Sequence, residues 1–179
     1  DKYVEEIKAL RISDDIDRGI RIVYTPLNGT GNELVRRVLR ERGFAQVYVV
    51  KEQEKPDPDF TTVGYPNPED VKAFEYAKNY GKEEDADILI ATDPDCDRVA
   101  CMVKNHEGEY VFLNGNQTGA LLVDDILSNR AEKGDIPGNG AIVKSIVTGD
   151  LSKTIAEDYN ITTIETLTGF KHICGKANE

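Results

Sequence analysis

Residues 86–103 read ADILIATDPDCDRVACMV. An apolar run enters three aspartates at alternate positions, Asp93, Asp95 and Asp97, and Arg98 follows before the apolar pattern resumes. On an extended backbone, positions two apart share a face, so this spacing predicts three carboxylates side by side. Like charges at that separation repel one another, and the cluster must either splay into water or gather a cation. Pro94 removes a backbone donor and biases Asp93 towards an extended conformation, which argues for a loop after a strand. Three oxygen donors there suit a hard divalent cation such as Mg²⁺, with positions left open for water or a phosphate oxygen. Arg98 adds a planar fork matched to phosphate or a sugar hydroxyl. Cys96 is a poor ligand for such a metal, because its thiol is soft.

Other chemistries compete for the same residues. A calcium-binding helix–loop–helix wants Gly at the sixth position and Glu at the twelfth, where this chain has Arg98 and Lys104, so it is set aside. A phosphatase with an aspartyl nucleophile at Asp93 fits DxD, although Asp97 stands where Thr or Val is expected. An acidic strand-to-strand turn in a ligandless structural or interaction module needs no partner at all. Residue types alone leave metal site, phosphatase and plain turn open.

Composition narrows the classes. The chain has 179 residues and a formal net charge of -11, which opposes nonspecific nucleic-acid binding. No apolar run approaches the ~20 residues of a membrane span, and DKYVEEIKAL lacks the basic-then-apolar order of a signal peptide. Three cysteines without a CxxC read as reduced thiols, giving an expectation of a cytoplasmic protein.

The elements that must position the acids alternate strand and helix. IRIVYT (20–25) is a strand, PLNGTG a turn, and 32–42 a helix with Leu34, Val35, Val38 and Leu39 as its stripe, closed by Gly43. AQVYVV (45–50) is the next strand. After a Pro- and Asp-rich loop, Asn67-Pro68-Glu69 has the order of a helix start. The helix runs to about residue 80, with Val71, Phe74, Ala77 and Tyr80 inward. DILIA (87–91) is apolar enough to be buried on both faces, and 99–104 with 110–113 make a hairpin around HEGE. The pattern then restarts: helix 117–130, strand 141–147, a helix capped by Asp150, strand 161–166, and a last helix from LTGFKHICGKANE. This spells a mixed, mostly parallel α/β sheet with helices on both faces over 1–113, then a second, incomplete α/β unit over 114–179. Parallel α/β sheets place ligands beyond the carboxyl ends of their strands, where the aspartates fall. Asn28-Gly29-Thr30-Gly31 lacks the third glycine of a dinucleotide fingerprint and is read as a tight turn that lets helix meet sheet.

The motifs together resemble the α-D-phosphohexomutases (phosphoglucomutase, phosphomannomutase and relatives). TDPDCDR resembles that family's magnesium loop, written DGDGDR or DPDGDR. PLNGTG (26–31) resembles its TPLHGTG turn, with Asn28 for His. PDPDFTTVGYPNPE resembles its PDGDFPTV and PNPE loop. LNGNQ (113–117) resembles the start of its third domain, and Thr168-Gly169-Phe170-Lys171 its TGFK loop. They occur in family order from about residue 20 to 175.

The resemblance implies a parent enzyme that interconverts hexose 1-phosphate and hexose 6-phosphate, glucose first, through an enzyme phosphoserine and a hexose bisphosphate intermediate. It implies Mg²⁺ on Asp93, Asp95 and Asp97, Arg98 on the sugar phosphate, and Thr168, Gly169 and Lys171 beside the sugar. These 179 residues hold no TASHNP-like serine loop, no GEES-like sugar loop and no phosphate-binding loop of the fourth domain. The chain is therefore expected to be the family's second domain and the front of its third, partnered by the remaining domains and without turnover alone. Cys96, in place of the motif's usual glycine, is read as a backbone that needs no positive φ there. His172 and His106 are read as bystanders.

Overall fold

A computed structural model describes residues 2–178; Asp1 and Glu179, the outer bounds of the two expected units, lie outside the described residues. The chain divides into two compact units, one reaching Asn114 and one starting at Gly115. The first contains α1 (Lys2–Ala9), β1 (Ile22–Thr25), α2 (Gly31–Glu41), β2 (Val47–Val49), α3 (Glu75–Glu83), β3 (Ile88–Thr92), β4 (Val99–Lys104) and β5 (Tyr110–Leu113). Short 3₁₀ turns at Lys51–Gln53 and Val71–Phe74 interrupt the connections.

Its five strands lie in the order β2-β1-β3-β4-β5. β1 pairs in parallel with β2 and β3, while β4 and β5 add an antiparallel hairpin at the β3 edge. The two-residue period of β1 explains the layering. Val23 joins the main core with Phe74, Ala77, Leu89, Ala91 and Met102, so the residues around α3 cover that face. Tyr24, one residue on, approaches Gly31 at the start of α2 on the other face. Phe74 and Leu89 are fully buried, and each such side chain contributes about 1.5–3 kcal/mol. Leu89 and Ala91 of β3 are buried on the core side; on the other face Ile88 and Ile90 are half-buried and Thr92 is buried.

Local chemistry shifts some expected boundaries. Gly43 ends α2 at φ +93°, as a C-terminal glycine should. Asn67 does not open the following helix: Asp70 accepts from the Lys72 amide and caps the 3₁₀ turn at Val71–Phe74, from which α3 grows. Val71 therefore lies outside the inner face and is 43% exposed. α1 has no counterpart among the expected elements, although Tyr3, Val4 and Ile7 stand at helical spacing. Val4 is buried, and Lys8 Nζ reaches Glu41 of α2 at 2.7 Å.

The second unit contains α4 (Gly115–Lys133), β6 (Ala141–Ser145), α5 (Leu151–Asp158), β7 (Thr162–Thr166) and α6 (Phe170–Ala177). β6 and β7 pair in parallel, Ser145 opposite Thr166. Leu127, Ala156 and Ile161 form its small core, and Leu121, Leu122 and Phe170 are exposed. No helix among the described residues is long and apolar enough to cross a membrane.

Candidate functional site

The aspartates occupy the loop 93–98 between β3 and β4, whose antiparallel register sets Thr92 opposite Val99. That pairing forces the chain to reverse within the loop, so the three acids are gathered by a turn and not by an extended backbone, as their spacing had suggested. The Cys96 amide donates to the Asp93 carbonyl at 3.0 Å. Cys96 itself sits at φ +62°, which corrects the expectation that this position needs no positive φ. The turn demands the left-handed conformation, and Cys96 occupies it where glycine would do so without strain.

Asp93 is 1% exposed, whereas Asp95 and Asp97 are exposed at the rim. One carboxylate oxygen from each lies within 4.8 Å of the other two. Arg98 closes the loop on itself. Its backbone N–H donates to Asp93 Oδ1 at 3.0 Å, its Nε to Asp93 Oδ2 at 2.8 Å, and its Nη1 to Asn67 Oδ1 at 3.0 Å. Burial pushes the Asp93 carboxyl up, but these Arg98 donors outweigh it and hold Asp93 below the usual carboxylate range. Asp97 is shifted the other way, held above that range by its hydrogen bond to Asp93, by partial desolvation and by the charges of Asp95 and Asp93. One rim carboxylate thus retains its proton more readily than an isolated aspartate. The donor set is three hard oxygens without imidazole or thiolate, and it fits a divalent cation of the Mg²⁺ type.

The neighbouring turn fixes where this loop sits. The Thr30 amide and hydroxyl both donate to the Pro94 carbonyl, at 2.8 and 3.1 Å. A Cβ on Gly29 would lie 2.4 Å from Pro94 Cα, so glycine is required for this approach. The turn is anchored from behind by a polar network: Thr25 Oγ1 donates to Gln53 Oε1, and Thr62 Oγ1 to Asn28 Oδ1.

Thr168, Gly169 and Lys171 belong to the second unit and are all exposed. Gly169, at φ +120°, is the N-cap of α6. Thr168 and Gly169 follow β7, and the turn Thr148–Gly149–Asp150 follows its parallel neighbour β6, the end of the sheet where ligands sit. The Gly149 amide donates to Asn116 Oδ1 of the LNGNQ segment at 2.9 Å. Asp150 makes no side-chain cap to α5, contrary to expectation, because its carboxylate is engaged by Lys144 Nζ at 3.1 Å.

Two polar residues were missed in the sequence. Asn67 passed as a helix cap, and nothing local shows that its partner is Arg98, 31 positions away. Lys144 is 6% exposed and donates to the Thr148 carbonyl at 2.9 Å, with Glu165 Oε1 at 3.4 Å. A lone lysine inside AIVKSIV was the available signal.

The family model described as phosphoglucomutase/phosphomannomutase, alpha/beta/alpha domain II, matches residues 1–108, and that for domain III matches 114–179. A phosphoglucomutase of Staphylococcus haemolyticus is 36% identical over all 179 residues, which cover 32% of it. The chain thus spans about a third of the length of the curated relatives it matches. A phosphoglucomutase/phosphomannomutase family protein from Burkholderia thailandensis superposes with a TM-score of 0.74 at 19% identity, covering 99% of this chain and 35% of that one. The N-acetylphosphoglucosamine mutase of Aspergillus fumigatus, solved with GlcNAc-6P and magnesium, gives 0.60 at 17% identity, covering 90% and 34%. With the acidic loop, the glycine turn and the two α/β units in family order, the chain belongs to the phosphoglucomutase/phosphomannomutase family, the α-D-phosphohexomutases.

Proposed function

We propose that this chain supplies the metal-binding and part of the sugar-binding surface of a cytoplasmic, Mg²⁺-dependent mutase. The parent enzyme interconverts hexose 1-phosphate and hexose 6-phosphate, glucose first, through a phosphoserine and a hexose bisphosphate. The observation that carries this reading is the convergence of Asp93, Asp95 and Asp97 within 4.8 Å at the carboxyl end of β3, beside Arg98.

In this reading the three aspartates hold Mg²⁺, which when bound withdraws charge from a transferring phosphoryl group. Phosphoryl transfer asks mainly for position and compensating charge, and the chain's own residues provide both. Buried Asp93 fixes the loop through Arg98, whose guanidinium is held charged and oriented for a phosphate oxygen. Thr168 and Gly169 offer a hydroxyl and an open backbone to sugar hydroxyls, and Lys171 a cation at the start of α6. The phosphoserine and the remaining sugar and phosphate contacts belong to other domains of the parent. The three free cysteines and the formal net charge of -11 support a cytoplasmic, non-nucleic-acid role.

The aspartyl-phosphatase reading fares worse, because a nucleophile must reach its substrate and Asp93 is buried with both oxygens accepting from Arg98. Titration with Mg²⁺ and glucose 1-phosphate, followed by amide NMR, is expected to move signals in 93–98 and 168–171 without formation of glucose 6-phosphate. Turnover by the purified chain, or a beryllium fluoride adduct on Asp93, would contradict the proposal.

A further inference from the structure

Arg98 is gripped at two edges. Asp93 Oδ2 takes Nε at 2.8 Å, and Asn67 Oδ1 takes Nη1 at 3.0 Å. The remaining terminal nitrogen, Nη2, makes no hydrogen bond among the described residues, and the side chain is 45% exposed. Free rotation of the guanidinium is thereby blocked while one donor edge stays available.

Asn67 is itself held. Pro66 and Pro68 flank it, Pro68 is buried, and the Asn67 amide donates to the Tyr65 carbonyl at 2.9 Å. Its carbonyl accepts from Asp70 N at 3.0 Å, and its Oδ1 also accepts from the Glu69 amide at 3.1 Å. The residue type matters. A neutral amide oxygen orients a guanidinium without cancelling its charge, whereas a further carboxylate, added to Asp93 and to Asp97 at 3.6 Å from Nε, would compete with an incoming phosphate.

We propose that Asn67 is a positioning residue for Arg98: it acts through the guanidinium alone, locking it against Asp93 so that its open edge meets the phosphate ester. This rests on the reading above that Arg98 receives the sugar phosphate.

The test uses the 179-residue chain with Mg²⁺ and glucose 6-phosphate as probe, reading both affinity and the Arg98 Nε–Hε NMR signal. Asn67→Ala is expected to broaden and shift that signal and to weaken glucose 6-phosphate binding about tenfold, the scale of one hydrogen bond to a charged group. Mg²⁺ affinity and the amide spectrum of the sheet should stay as in the wild type. Asn67→Asp keeps the acceptor and should restore the Arg98 signal, which separates orientation from a folding defect. The double variant Asn67→Ala, Arg98→Ala should bind no more weakly than Arg98→Ala alone. A wild-type Arg98 signal and affinity in Asn67→Ala would overturn the inference, as would a double variant weaker than Arg98→Ala. If Arg98→Ala binds like the wild type, the reading of the site fails first, and the inference falls with it.

Discussion

Cys96 carries a conformation its side chain resists. At φ +62° an L-residue costs roughly 1–2 kcal/mol relative to the right-handed region, offset in part by the greater freedom glycine loses on folding. Cys96→Gly is expected to raise stability in urea by about 0.5–1 kcal/mol. Cys96→Val, β-branched in the same conformation, should lower it by roughly 1–3 kcal/mol. A destabilised glycine variant would show that the thiol's packing against the start of α2 outweighs the strain. The clustering of Asp93, Asp95 and Asp97 was legible from residue type and proximity, although their alternate spacing pointed to an extended backbone where the loop turns. The φ of Cys96 was not, since it follows from the Thr92–Val99 register, which no single residue encodes. Asn67 and Lys144 were hidden for a related reason: their partners are brought to them by the fold.

The elements follow the strand–helix alternation closely, because their cores are written as apolar runs bounded by glycine and proline. α1 was missed although Tyr3, Val4 and Ile7 have helical spacing; buried Val4 and the Lys8–Glu41 ion pair help to dock it. Glu41, hydrogen-bonded to Lys8 and Arg37, has its pKa lowered to about 2. A depressed carboxylate contributes stability that is complete above its unfolded value and is lost as pH falls towards the folded one. α1 should therefore loosen from α2 between about pH 4.5 and 2, seen as faster amide exchange in residues 2–9, and Glu41→Gln should produce the same exchange at neutral pH. Unchanged protection in both would leave the ion pair without a role in docking. The glycine turn makes a second prediction. Gly29→Ala sets a Cβ against the Pro94 backbone and should cost about 1–3 kcal/mol in denaturation. It should also weaken metal binding by displacing the loop, whereas Gly108→Ala, with open space around it, should spare metal binding. Equal metal affinity in Gly29→Ala would detach the turn from the site.

As a whole, the chain is two α/β units whose candidate groups lie at the carboxyl ends of their strands. The order of motifs was legible across both, and the family follows from it. The division of labour within the candidate metal site was less so, because three acids of one type differ only by burial and neighbours. Asp93 anchors Arg98, while Asp95 and Asp97 stand at the rim with Asp97 held above the usual range. Unrelieved repulsion of this kind is what a cation would remove. Calorimetric Mg²⁺ titration with thermal unfolding, comparing the wild type with Asp95→Asn, tests this most directly. One saturable Mg²⁺ site should raise the wild-type Tm, and the Asp95→Asn variant should be more stable without metal but no longer respond to it. A wild-type Tm and loop 93–98 amide spectrum unchanged by Mg²⁺, or an Asp95→Asn variant that binds it equally well, would mean that the three aspartates do not form a metal site.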